Sequence, residues 1–98
     1  MAKKIIWTKR ANQKFNKIID YIEQEWGTTV ALNFVKKTYN ILDLISDLPE
    51  LGTLESPEKM IRGFLLTKRN RLFYRVTEKE IILLNFFDTR SRAKRKQL

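Results

Sequence analysis

The chain has 98 residues, 20 Lys+Arg against 11 Asp+Glu, no Cys and no His, and a formal charge of +9; a length this close to the usual domain size of roughly 100–150 residues predicts one domain over 1–98. Without Cys there is no disulfide framework, thiolate nucleophile or Cys-ligated zinc, and without His the usual neutral-pH base and commonest metal ligand are gone, so no cofactor or metal is expected and any catalysis must use carboxylates, Lys, Arg, Tyr or Ser/Thr. No apolar run approaches the ~18–20 residues that span a bilayer, and the first ten residues lack a signal-peptide core, which predicts a cytoplasmic protein with no membrane partner.

In chain order, Lys4-Ile5-Ile6-Trp7 predicts a first strand, and Thr8 offers an N-cap hydroxyl to a helix running to about Trp26. Ala11, Phe15, Ile18, Ile19, Ile22 and Trp26 form one stripe on a 3.6-residue period. Gly27 follows where a positive-φ residue is wanted, and Thr28 or Thr29 would cap a second helix. That helix carries Ala31, Phe34, Val35, Thr38, Leu42, Ile45 and Leu48 as its stripe, and Pro49 stops it. Two helices of ~18–20 residues joined by so short a junction must form an antiparallel hairpin.

Pro49-Glu50-Leu51-Gly52 and Ser56-Pro57-Glu58 are turn chemistry, after which the period changes. Three strands are predicted, at about 60–66, 71–76 and 81–87, joined by Lys68-Arg69-Asn70 and Thr77-Glu78-Lys79-Glu80. Alternation sends Arg71, Phe73 and Arg75 one way and Leu72, Tyr74 and Val76 the other. Ile81-Ile82-Leu83-Leu84-Asn85-Phe86-Phe87 is apolar on both faces and predicts a central strand. The order β-αα-βββ implies an α+β fold, an antiparallel helical hairpin packed on one face of a twisted, mainly antiparallel four-stranded sheet. Residues 88–98 form a basic tail.

The charge is unevenly placed. Residues 1–58 hold eight cations and eight anions, whereas 59–98 hold twelve and three. Such an asymmetry predicts an anionic partner, nucleic acid or an acidic protein segment, although a basic surface can also serve only solubility. Most aromatic residues fall on the helical stripes or strand alternation and should be core. Phe64 and Phe73 are the ones expected to share faces with Arg62 and Arg71, where a ring could stack on a base.

Several segments in collinear order resemble the RelE/ParE superfamily of toxins from bacterial type II toxin–antitoxin modules, the plasmid-stabilisation type. They are Ile6-Trp7-Thr8-Lys9-Arg10-Ala11, Ile18-Ile19-Asp20-Tyr21-Ile22, Trp26-Gly27, Ala31-Leu32-Asn33-Phe34 and Leu48-Pro49-Glu50-Leu51-Gly52. Arg71-Leu72-Phe73-Tyr74-Arg75-Val76 and Phe87-Asp88-Thr89-Arg90 complete the set. Where relatives usually carry a proline after this last segment, the chain has Arg92-Ala93.

The resemblance implies growth inhibition until a cognate acidic antitoxin binds, in a hetero-oligomeric complex. Two activities follow from it. ParE-like members poison DNA gyrase without a nuclease site, and the two long, nearly equal helices resemble this subgroup more. RelE-like members cleave mRNA on the ribosome without a metal. There Arg71 would stabilise the phosphorane, Arg90 the leaving group, and Arg62 or Lys68 would add charge. No Tyr or His follows residue 74, so proton transfer would fall to Glu50, Glu55 or a lysine. A third reading is a non-toxic nucleic-acid-binding module. On any of these the basic face comprises Arg62, Lys68, Arg69, Arg71, Arg75, Arg90, Arg92, Lys94 and Arg95.

Overall fold

The computed structural model describes residues 2–88. Strand β1 (Lys4–Trp7) leads into α1 (Lys9–Trp26) and α2 (Thr28–Asp47). A single 3₁₀ turn (Pro49–Leu51) precedes β2 (Thr53–Ser56), β3 (Ile61–Thr67), β4 (Asn70–Val76) and β5 (Glu80–Asp88). The strands form one sheet in the order β1-β5-β4-β3-β2. The fold class is as expected, with one correction: the sheet has five strands rather than four, because Thr53–Ser56 pairs with β3. It is mainly antiparallel, as expected, with β1 alone lying parallel to its neighbour β5. No helix among the described residues is long and apolar enough to cross a membrane.

Helix α1 begins as its sequence dictates. Thr8 Oγ1 accepts the Ala11 N–H at 3.1 Å and donates to the Leu83 carbonyl at 2.6 Å, so one hydroxyl caps the helix and ties it to β5. At the other end Gly27 donates to Glu23 O and accepts from Ala31 N. It sits at φ 94°, ψ 172°, a region that L side chains avoid. Gly27 itself is the N-cap of α2, which has no side-chain cap, so neither Thr28 nor Thr29 fills that role. A Cβ at Gly27 would meet nothing within 4 Å. Gly27→Ala should therefore cost only the backbone strain, about 1–2 kcal/mol, measurable as a lowered denaturant midpoint with an unchanged slope.

Phe15, twelve residues before Gly27, reaches Phe34 and Tyr39 beyond it, with ring centroids at 5.8 and 6.4 Å. The helices are thus antiparallel. Their shared stripe packs on Leu66, Leu72, Tyr74, Ile81, Leu83 and Phe86, all nearly or fully buried. Burying each such aliphatic or aromatic side chain contributes about 1.5–3 kcal/mol. Trp7, Phe15 and Phe86 meet pairwise at 5.1–5.7 Å. Buried Thr38 satisfies its hydroxyl on Phe34 O at 2.9 Å. Both stripes stop short of their expected ends. Trp26, the last residue of α1, is 52% exposed, and Leu48, the residue after α2, is 55% exposed. Ile41 joins the core instead.

Helices cover one side of the sheet. On the other, Arg71, Phe73 and Arg75 of β4 lie beside Phe87, Asn85 and Ile82 of β5 and beside Leu65, Gly63 and Ile61 of β3. None of these cross-strand neighbours except Gly63 is fully buried.

Candidate functional site

The open face is built around β4. Its alternation holds as expected: Asn70, Leu72 and Tyr74 are buried under the helices, and Arg71, Phe73 and Arg75 are half-buried on the other side. Arg71 Cζ lies 5.6 Å from the Phe73 ring centroid, and Phe73 meets Phe87 edge-to-face at 5.6 Å. Arg71 Nη2 also donates to Glu55 Oε2. Of the carboxylates considered for proton transfer, Glu55 is the one the fold brings to Arg71.

Glu55 reaches that position because β2 is irregular. The register with β3 shifts between Leu54 and Ser56, leaving Glu55 as the extra residue, and such a bulge re-aims its side chain. Gly63 keeps the path clear: a Cβ there would stand 2.9 Å from Glu55 Oε2 and 3.0 Å from Arg71 Nε and Nη2. Those atoms end flexible side chains, and the paired side chains are 32% and 34% exposed. An ion pair this exposed is worth no more than about 1 kcal/mol. Gly63→Ala should accordingly change unfolding stability by under about 1 kcal/mol, while an Arg71–Glu55 contact tracked by side-chain NMR is lost.

Arg62 does not join this face, which corrects the expected grouping. It pairs in register with Tyr74, and Phe64 pairs with Leu72, so both lie on the helix side of β3. Arg62 Nη1 donates to Gly52 O at 2.8 Å and to Glu50 O at 3.4 Å. Its neighbour Tyr74 donates its hydroxyl to Pro49 O at 2.8 Å and accepts Gly52 N–H at 2.9 Å. Arg62 and Tyr74 together hold the 49–52 turn, and with it the start of β2. Burial pushes the Tyr74 phenol above its ordinary value; the Gly52 N–H and the nearby Arg62 charge oppose this, and Glu50 adds to it slightly.

Lys68 and Arg69 also part from Arg71. They form the β3–β4 turn and belong to a second surface, a groove of about 820 Å³ between that turn, the end of β5 and the helical hairpin. Ile18, Ile22, Phe34 and Phe86 floor it, with Tyr21, Trp26 and Val30 at the hairpin end. Trp26 stands edge-on to Tyr21 at 5.8 Å. Lys14, Lys17, Lys37, Lys68 and Arg69 rim it, with Asp88 the single acidic residue of the lining. Three of these cations come from the helices, which sequence reasoning treated as electrically neutral. The signal available was local: Lys14, Lys17 and Tyr21, spaced three and four apart, share one side of α1. Asp88 ends β5 opposite Asn70. Arg90, Arg92, Lys94 and Arg95 lie outside the described residues. Among the described residues no cluster of acidic side chains could hold a metal ion.

Helices on one side only, an open basic and aromatic sheet face and a cation-rimmed apolar groove are the frame in which the comparisons fall. A family model described as the ParE toxin of the type II toxin-antitoxin system parDE matches residues 5–93. The chain belongs to this family, the ParE-like branch of the RelE/ParE superfamily of toxins. Among solved structures it is similar to a chain of the chromosomal ParDE system from P. aeruginosa, at 21% identity and a TM-score of 0.73, covering 89% of this chain and 96% of that one. A mutant of E. coli RelE in the free state gives 18% identity and a TM-score of 0.61, covering 95% and 90%. A chain of the E. coli DinJ-YafQ toxin-antitoxin complex gives 10% and 0.62, covering 93% and 97%. At these identities the likeness is one of fold. No curated protein sequence matches the chain.

Proposed function

We propose that this toxin poisons DNA gyrase in the ParE manner, in the cytoplasm, and that a cognate antitoxin silences it by seating an acidic, apolar-faced segment in the groove. The family match over residues 5–93 carries the gyrase reading. Helices of 18 and 20 residues and the lack of Tyr or His after residue 74 support it against ribosome-dependent cleavage. The antitoxin seat is supported by charge and shape. An amphipathic helix lays its apolar face in such a groove, and five rim cations against one carboxylate select acidic flanks and speed capture. The similar DinJ-YafQ structure is itself a toxin-antitoxin complex.

Purified protein, gyrase, ATP and supercoiled plasmid are expected to yield trapped cleavage complexes, seen as linear DNA after detergent and protease. Cleavage of ribosome-bound mRNA with no gyrase trapping would replace this reading by the RelE-like one. Unimpaired growth on expressing the folded chain alone would remove both.

A further inference from the structure

We infer that the groove beside the helical hairpin is a binding site for a single-chain anionic amphiphile, a long-chain fatty acid, with its chain toward Trp26 and its carboxylate between Lys17 and Lys37. Binding itself goes beyond the function proposed above; only its competition with an antitoxin rests on that reading.

The groove has two unlike ends. Trp26 and Val30 stand within one turn of the Gly27 junction, whereas Lys17 and Lys37 each stand ten residues from it, one on each helix. Because the helices are antiparallel, those ten residues carry both lysines to the same level, about 15 Å from the junction. The apolar end is open to solvent: Tyr21, Trp26 and Val30 are all exposed although they line a groove. Exposed apolar surface of this kind marks ligand grooves and interaction surfaces. Between the ends the floor is Ile18, Ile22, Phe34 and Phe86, all hydrocarbon. A volume of about 820 Å³ falls within the roughly 300–1,000 Å³ of small-molecule sites, which set a few placed polar groups around an apolar lining.

The charge at the far end is uncompensated. Lys14, Lys17 and Lys37 form no ion pair among the described residues, and Asp88, the acidic residue of the lining, is already engaged by another residue. Lysine stems lie along an acyl chain while their ammonium groups reach its head. A carboxylate placed between the two rims accepts charge-assisted hydrogen bonds from both. Hydrocarbon at one end and paired cations at the other match one chain with one anionic head. A bilayer presents its head groups outermost and would meet the rim without reaching the floor, so the ligand is the free acid rather than a membrane.

The test is calorimetric titration of the full chain with decanoate, laurate and myristate, each kept below its micellar concentration, with tryptophan emission followed alongside. Each two-carbon step should tighten binding about 5- to 15-fold as more chain is buried. Myristate should shift the emission to shorter wavelength as it covers Trp26. Trp26→Phe, which leaves Trp7 as the remaining indole, should abolish that shift while myristate still binds. Lys17→Gln combined with Lys37→Gln should weaken myristate about 10-fold. Lys9→Gln, on the exposed first turn of α1 and outside the groove, should change it less than about twofold. Tetradecyltrimethylammonium, the same chain length under a cationic head, should bind at least ~10-fold more weakly. The proposal is overturned if this cation binds as tightly as myristate or if the double lysine variant binds myristate unchanged. It is equally overturned if phosphatidylglycerol vesicles bind and monomeric myristate does not. Myristate should also displace the cognate antitoxin. Myristate that binds without displacing it upholds this site and moves the antitoxin elsewhere. An antitoxin lost on Trp26→Glu, with no myristate binding to the natural chain, overturns this proposal and leaves the antitoxin seat in place.

Discussion

Tyr74→Phe is expected to lower the unfolding free energy by about 2 kcal/mol, since a buried and a partly buried hydrogen bond go and the Gly52 N–H is left unsatisfied. The side chain is fully buried, and its hydroxyl bridges Pro49 O and Gly52 N. The ring still fills its place in Tyr74→Phe, so the loss belongs to the bridge rather than to a cavity. Gly52→Ala attacks the same bridge from the other side. Its Cβ would stand 2.7 Å from the Tyr74 hydroxyl and 2.8 Å from the Gly63 carbonyl, and backbone cannot yield as a side-chain tip does. A comparable loss, about 1–3 kcal/mol, is expected there.

The pH profile separates the bridge from simple packing. A phenol raised above its ordinary value of 10.0 binds its proton more tightly folded than unfolded. Its contribution is complete below pH 10 and is lost as pH climbs through the raised value. The stability gap between the natural chain and Tyr74→Phe should therefore narrow above pH 10, read from denaturant midpoints across an alkaline series. A constant gap would assign the loss to packing alone.

The second large effect is functional. Trp26→Glu should weaken antitoxin binding at least ~30-fold, the effect of losing an aromatic anchor worth about 2 kcal/mol, while leaving toxicity in place. Trp26 is half-exposed at the end of α1, braced only by Tyr21 among the described rings, so the fold loses little. The new carboxylate would also face the acidic segment that the rim cations attract. Lys17→Glu and Lys37→Glu should act differently, slowing association more than hastening dissociation, with the effect shrinking as salt rises. Calorimetry on the purified pair, with growth rescue alongside, reads both. Unchanged affinity in Trp26→Glu would move the antitoxin elsewhere.

The helical hairpin was legible because its stripes are strictly periodic and its junction is a single glycine. So was the facing of Arg71, Phe73 and Arg75, because β4 alternates cleanly. β3 was not: Ile61, Phe64, Leu65 and Leu66 are apolar on both sides, so Arg62 could be placed on either face, and Tyr74 across the ladder decides it. Thr53–Ser56 carries no strand pattern of its own. Its residues are mostly exposed, and backbone pairing to β3 alone makes it a strand. The parallel union of β1 with β5 is a choice between distant segments that no local period records. Of the candidate site, Arg71 and the suspicion of Glu55 were within reach. The groove was not, because its rim is drawn from α1, α2 and the β3–β4 turn, and only packing brings them together.

That union of β1 with β5 also fixes when the protein can exist. Lys4 meets Glu80 and Trp7 meets Leu83, Thr8 caps its helix while bonded to the Leu83 carbonyl, and Lys3 Nζ holds the Thr77 and Glu78 carbonyls. Among the described residues β1 pairs with no strand but β5, so residues 4–7 must wait for residues 80–83. Contacts this distant in sequence form late. During synthesis the helices can gather, but the sheet that carries the arginines stays open at its edge until residues 80–88 have emerged. The segment 80–88 therefore sets the pace at which the sheet, and with it the open face that carries the arginines, is completed.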